Sequence, residues 1–200
     1  MRKILPLFFL ILTSCISIPE INDKYAQIDR VWLLDYQKNE DIYRYRVIDA
    51  PYLNTFSEIK KAFIALDVPV MAANFEKGEI YGQTEAPTPL SKEEWLQVKE
   101  FENPRLKEIG GWMFYFPDDP KGYIISIRAT VKPIGKKTFV SLDYELSMPE
   151  YESMGIRASK IAPPSAVKIG SLKFWNKLDN LLKDVSLPKT RNRTPEEIQV

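Results

Sequence analysis

Histidine is absent from all 200 residues, and Cys15 is the only cysteine. A Ser-His-Asp or Cys-His nucleophile is therefore impossible unless another base takes the place of imidazole. Zinc, which favours imidazole and thiolate ligands, has no obvious ligand set. Serine–lysine chemistry is formally open at Ser159-Lys160, Ser91, Ser165 and Ser171. Adjacent residues on a strand face opposite sides, and Ser91 and Ser165 stand where helix caps are expected. Asp118-Asp119 is the nearest approach to a calcium site, yet it lacks spaced oxygen ligands and sits beside Pro120 as a turn former. A carboxylate-dependent cell-wall enzyme needs two acids facing each other across a cleft. Asp143 and Glu145 alternate with Val140, Leu142 and Tyr144, which predicts a solvated strand face; Glu76 and Glu79 lie beside a turn. Gly110-Gly111 forms no phosphate-binding loop. We therefore expect no catalytic residues, no metal and no cofactor, and a chain that is not an enzyme.

The remaining candidate chemistry lies at the start. Met1-Arg2-Lys3 is a short basic stretch, Ile4–Leu12 is apolar apart from Pro6, and Thr13-Ser14 are small. That is the layout of a secretory signal peptide. The apolar run is far short of the ~20 residues that span a bilayer as a helix. Leu12-Thr13-Ser14-Cys15 resembles the lipobox of bacterial lipoproteins. The resemblance implies cleavage between Ser14 and Cys15, a diacylglyceryl group on the Cys15 thiol, and acylation of the new amino group. Several chains anchor a protein stably where one binds only marginally. Family habit links Ile16, in place of an aspartate, to sorting toward the outer membrane, so the expected location is its periplasmic face.

Composition is that of an ordinary folded protein, with 44% apolar and 28% charged residues. Removing Arg2 and Lys3 with the leader turns 28 basic against 27 acidic residues into 26 against 27. A near-neutral chain without a basic face is not built for nucleic acid. Disulfides are excluded by the single cysteine, so a hydrophobic core must hold the domain.

Four segments are expected: a leader at 1–14, a lipidated cysteine and polar tether at 15–27, a globular domain at 28–187, and a disordered polar tail at 188–200. Within the domain, Ile28–Asp35 and Asp41–Asp49 read as strands, the second with Tyr43, Tyr45 and Val47 facing away from Arg44 and Arg46. Thr55 to Glu58 reads as a capping box, opening a helix that ends near Asp67. Pro69–Ala73 and Glu79–Thr84 read as a hairpin turning at Gly78, and Ser91 to Glu94 opens a second helix that breaks near Pro104. Gly111–Phe116, Gly122–Lys132 and Lys137–Leu146 read as three strands, the first carrying Trp112, Phe114 and Phe116 on one face. Ser165 is expected to cap a last helix striped with Leu172, Trp175, Leu178, Leu182 and Val185.

The predicted class is α+β, an antiparallel sheet with two or three helices on one face in a single two-layer domain. Element order from Asp41 to Lys183, with a helix followed by a glycine-turned hairpin, resembles the helix-grip domains of some periplasmic lipoproteins. One such protein is a lipoprotein subunit of the outer-membrane β-barrel assembly machinery. Such a fold does not by itself fix function.

Tyr43, Arg44, Tyr45 and Arg46 are candidates for a peptide- or glycan-binding face, and Tyr151 marks a long loop suited to a partner surface. The expected function is that of a membrane-anchored envelope lipoprotein binding another protein as a non-enzymatic accessory assembly subunit. The alternatives are a small-ligand or lipid-binding module and a carboxylate-dependent cell-wall enzyme.

Overall fold

The computed structural model describes residues 16–186, without the side chains of 39–42 and 184–186. Ser14, Cys15 and the tail 188–200 lie outside the described residues. The domain is α+β: helices α1 (Ile18–Tyr43), α2 (Tyr52–Ile64), α3 (Lys92–Gly110), α4 (Pro149–Ser153) and α5 (Pro164–Ser186) accompany strands β1 (Tyr45–Ile48), β2 (Val70–Asn74), β3 (Glu79–Glu85), β4 (Ile124–Ile134) and β5 (Lys137–Ser147). The strands form one antiparallel sheet in the order β1-β5-β4-β3-β2.

The two long strands behave as their alternation predicts. Ile127, Ala129 and Val131 on β4 and Val140, Leu142 and Leu146 on β5 are buried on one face. Ile134 pairs with Lys137 across Gly135-Lys136, where Gly135 takes φ 59°. Such two-residue turns match the twist of the strands they join. At the β2–β3 turn Gly78 has φ 69°, and a Cβ there would stand 2.0 Å from the Val131 carbonyl oxygen. Only glycine fits both that conformation and that approach.

Helices α2 and α5 cover the apolar sheet face. Phe56, Ile59, Ala62 and Phe63 of α2 meet Phe174, Trp175 and Leu178 of α5 over Ile80, Ala129, Val140 and Leu142. A second core continues along that face. Ile28 and Trp32 of α1, Trp95, Val98 and Leu106 of α3, and Val167 of α5 close over Leu146 and Met148. The opposite sheet face carries Tyr81, Ser126, Arg128, Asp143 and Glu145 and is open. Glu145 is exposed, as its strand position predicts.

Several expectations are corrected. The predicted strand Ile28–Asp35 and most of the predicted tether lie inside α1. Ile21, Tyr25, Ile28, Trp32 and Tyr36 repeat at spacings of three and four residues, and all belong to the second core. Ser17 and Glu20 form a reciprocal cap at its start: the Ser17 N–H donates to Glu20 Oε2 at 2.8 Å and the Glu20 N–H to Ser17 Oγ at 3.4 Å. The strand expected at Asp41–Asp49 is therefore confined to Tyr45–Ile48. Thr55 does not cap α2, which opens at Tyr52 after Pro51; the Thr55 hydroxyl donates instead to the Pro51 carbonyl at 3.1 Å. The Ser91 capping box is present, but α3 runs through Pro104 to Gly110. On α5, Leu172 is 41% exposed while Phe174 is buried, which rotates the expected stripe.

Gly111–Phe116 is irregular rather than a strand. Gly111, at φ 82°, turns the chain out of α3. Asn103 then takes the role of a neighbouring strand: its Oδ1 accepts the Phe116 N–H at 2.7 Å and its Nδ2 donates to the Phe116 carbonyl at 3.3 Å. Phe114 and Phe116 are buried by this arrangement, and Trp112 is left 81% exposed.

Candidate functional site

Where the last turns of α1 pass between α3 and the start of α5, the surface sinks into a groove of about 480 Å³. Its apolar lining comes from Tyr36 and Tyr43 of α1, Val98 and Phe101 of α3, and Val167 and Ile169 of α5. Arg44, Gln97 and Lys168 add polar groups, and Asp35 closes one side. Phe101 is 61% exposed, an aromatic ring presented to solvent from the groove wall.

The walls are held from below by one carboxylate. Glu102 is fully buried, and its Oε2 accepts the Trp32 indole N–H at 3.0 Å. Its Oε1 accepts both the Ser165 backbone N–H, at 3.2 Å, and the Ser165 hydroxyl, at 2.6 Å. Ser165 is therefore not the cap expected at the start of α5, because Glu102 of α3 supplies that acceptor. A negative charge at a helix N-terminus is favoured by the unpaired N–H groups and the helix dipole. Arg105 links this centre to α1, with Nη1 3.8 Å from Glu102 and Nη2 2.7 Å from Asp35. The Tyr36 hydroxyl adds a bond to the Ala162 carbonyl at 2.7 Å.

The sequence candidates divide among different places. Tyr43 and Arg44 line the groove, with Lys168 Nζ 5.9 Å from the Tyr43 ring centre. The Arg44 guanidinium also pairs with Asp143 and lies 5.4 Å from the Tyr45 ring centre. Tyr45 stacks on Phe139, ring centres 5.7 Å apart. Arg46 faces the helices, bonding Asp179 at 2.9 Å and lying over Trp175 at 5.1 Å. The four residues do not form one face. Tyr151, expected on a long loop, lies instead on α4 and belongs to a separate aromatic cleft of about 240 Å³, lined also by Ile21, Tyr25, Met113, Tyr115 and Tyr123.

Residues missed by sequence reasoning include Glu102, Phe101 and Lys168. By spacing, Phe101 belongs to the apolar stripe of its helix, whereas Leu106 takes the buried position. Asp143 and Glu145 do line one shallow depression on the open sheet face, but Asp143 is engaged by Arg44.

Partly buried tyrosines make the domain sensitive to alkali. Burial, and Tyr151 beside it, push the Tyr25 hydroxyl up to about 12. Tyr36, Tyr123 and Tyr144 are raised in the same direction, burial being the main cause in each. The folded state then holds more protons than the unfolded chain above the ordinary tyrosine value of about 10. The stability these groups contribute is present below that pH and is lost as pH rises through about 10 to 12. Phenolate absorbance of these four should appear together with the loss of circular dichroism. Ionisation of all ten tyrosines before any unfolding would show that these rings are accessible.

No family model matches the chain, and no curated protein matches it. A solved crystal structure, that of the Thermus thermophilus protein TTHA0849, is 10% identical, with 72% of this chain and 97% of that one covered. Its TM-score is 0.31, a likeness that supports no inference about fold or function.

Proposed function

We propose that this chain is a membrane-anchored envelope lipoprotein whose domain binds another protein as a non-enzymatic accessory assembly subunit. The observation that carries the binding half is the groove between α1, α3 and α5, with Phe101 61% exposed at its wall. Phenylalanine, like tyrosine and tryptophan, is enriched at protein–protein interfaces relative to the rest of the surface. Lys168 at the rim suits a partner segment that places a carboxylate next to an apolar side chain. The anchor half rests on the lipobox at Leu12–Cys15, and the periplasmic face of the outer membrane on Ile16. Among the described residues no helix is long and apolar enough to cross a membrane.

The test is crosslinking and recovery from intact cells of wild-type protein and a Phe101→Asp variant. A defined envelope partner should be recovered with the wild type and reduced at least tenfold with the variant. Phe101 is exposed enough that its replacement should leave the melting temperature unchanged. Undiminished recovery with Phe101→Asp would remove the groove from the account. Hydrolysis of peptidoglycan or esters by the purified domain, abolished by one serine or carboxylate substitution, would replace binding with catalysis.

A small-ligand module is the second reading. It draws on the groove volume of about 480 Å³, which falls in the ~300–1,000 Å³ range of ligand sites. An apolar molecule released from the purified protein on denaturation, and missing from Phe101→Asp, would favour it.

A further inference from the structure

Apolar side chains also gather at the other end of α1, and nothing in the binding groove accounts for them. Ile18 is 46% exposed in the first turn, and Ile21 lines the aromatic cleft one turn on. Beside them the irregular segment after α3 presents Trp112, Met113 and Tyr115 at 81, 39 and 55% exposure. Met154, 51% exposed, ends α4 and opens the loop that follows, between Tyr151 and Ile156, both of which line that cleft. The same loop is fastened to the start of α1, where Asn22 Oδ1 accepts the Arg157 N–H at 2.6 Å. Met113 and Tyr115 line the cleft themselves, and Ile18, Trp112 and Met154 adjoin residues that do, so large exposed apolar groups cluster around its mouth, as at surfaces that meet a partner or a membrane.

The position of the rim relative to Cys15 identifies its occupant. Only Ile16 and Ser17 separate Cys15 from the first residue of α1. Three Cα–Cα steps reach at most ~11 Å. The capped first turn thus leaves no slack for the domain to stand off from whatever holds Cys15. Tryptophan and tyrosine are the side chains that settle at the boundary between lipid headgroups and hydrocarbon, where one part of the ring is dry and the other wet.

We propose that Ile18, Trp112, Met113, Tyr115 and Met154 form a membrane-contacting face that inserts into the lipid interface beside the acylated Cys15. This inference rests on the lipoprotein reading. It adds a second point of attachment to the acyl chains and so fixes the orientation of the domain. At ~1.5 Å per residue, Asp35 and Tyr43 lie ~25 and ~38 Å along α1 from Ile18. The groove therefore lies toward the opposite end of α1 from the proposed face.

Tryptophan fluorescence tests this, because Trp32, Trp95 and Trp175 are at most 2% exposed and Trp112 alone meets solvent. The mature, membrane-extracted protein is reconstituted into phosphatidylcholine vesicles with and without bromine on the acyl chains. Its mass is measured in parallel. Bromine should quench the wild-type emission, and that quenching should be lost in Trp112→Phe. Acrylamide quenching of Trp112 should fall at least threefold relative to detergent-free, unlipidated protein, and be insensitive to salt. An acylated mass with Trp112 still open to acrylamide would overturn the membrane face and leave the lipoprotein reading standing. A mass without acyl groups would overturn both. Protection of Trp112 in native membranes but not in vesicles would overturn the lipid contact and assign the rim to a protein instead.

Discussion

Replacing Glu102 by alanine is expected to destabilise the domain by about 3–5 kcal/mol, the range for removing one partner of a buried charged network. Three donors lose their acceptor at once: the Trp32 indole N–H, the Ser165 N–H and the Ser165 hydroxyl. Arg105 loses one of its two carboxylates. Shape is not the issue, which Glu102→Gln makes testable. A glutamine has one accepting oxygen, so its NH2 must face either the indole N–H or the backbone N–H of Ser165. The expected cost is about 1–3 kcal/mol, that of leaving a buried donor unsatisfied. The midpoint of urea unfolding should fall accordingly in both variants, with alanine the worse. Loss of less than about 1 kcal/mol for the alanine variant would mean that Glu102 does not hold the three helices together. Partner recovery should fall with stability in Glu102→Ala, because the groove walls are the elements that Glu102 ties.

Cys15→Ala is expected to move the protein from the membrane fraction to the soluble fraction of the envelope. Two or more acyl chains hold a protein stably, at ~0.8 kcal/mol per buried methylene, whereas a few interfacial aromatics give reversible binding. The Trp112 rim should therefore not retain the variant through a wash. Palmitate labelling should be lost with the same substitution. A variant that stays membrane-bound and still carries label would place the anchor elsewhere in the chain.

Legibility of the fold in the sequence is uneven, for physical reasons. Strands β4 and β5 are readable because one face packs on helices while the other, with Arg128, Asp143 and Glu145, meets water. The Ser91 cap is readable because it is local: Ser91 Oγ accepts the Glu94 N–H at 3.2 Å, whatever the rest of the chain does. Val31 to Leu34 mislead because β-branched and aromatic residues crowd together there, yet only Trp32 is buried while Leu33 and Leu34 are 48 and 56% exposed. The decisive signal lies at longer range, in the Ser17–Glu20 cap and the stripe from Ile21 to Tyr36. Assigning the segment before Lys24 to a tether hides it.

The groove is legible only in part. Tyr43 and Arg44 stand out as strand residues, and they reach the groove because α1 ends at Tyr43. Tyr45 and Arg46 then diverge to opposite sheet faces. Glu102 carries no local mark, since its hydrogen-bond donors lie 70 and 63 residues away in sequence. Such contacts exist only once the helices have packed.

Whether the groove holds a protein partner can be read from a photoactivatable amino acid at position 101, compared with one at Lys132 on the exposed end of β4. In intact cells one defined protein adduct is expected from position 101 and none from position 132. That adduct should disappear when Cys15→Ala is added. Equal adducts from both positions, or none from position 101 in the anchored protein, would contradict a partner-binding groove.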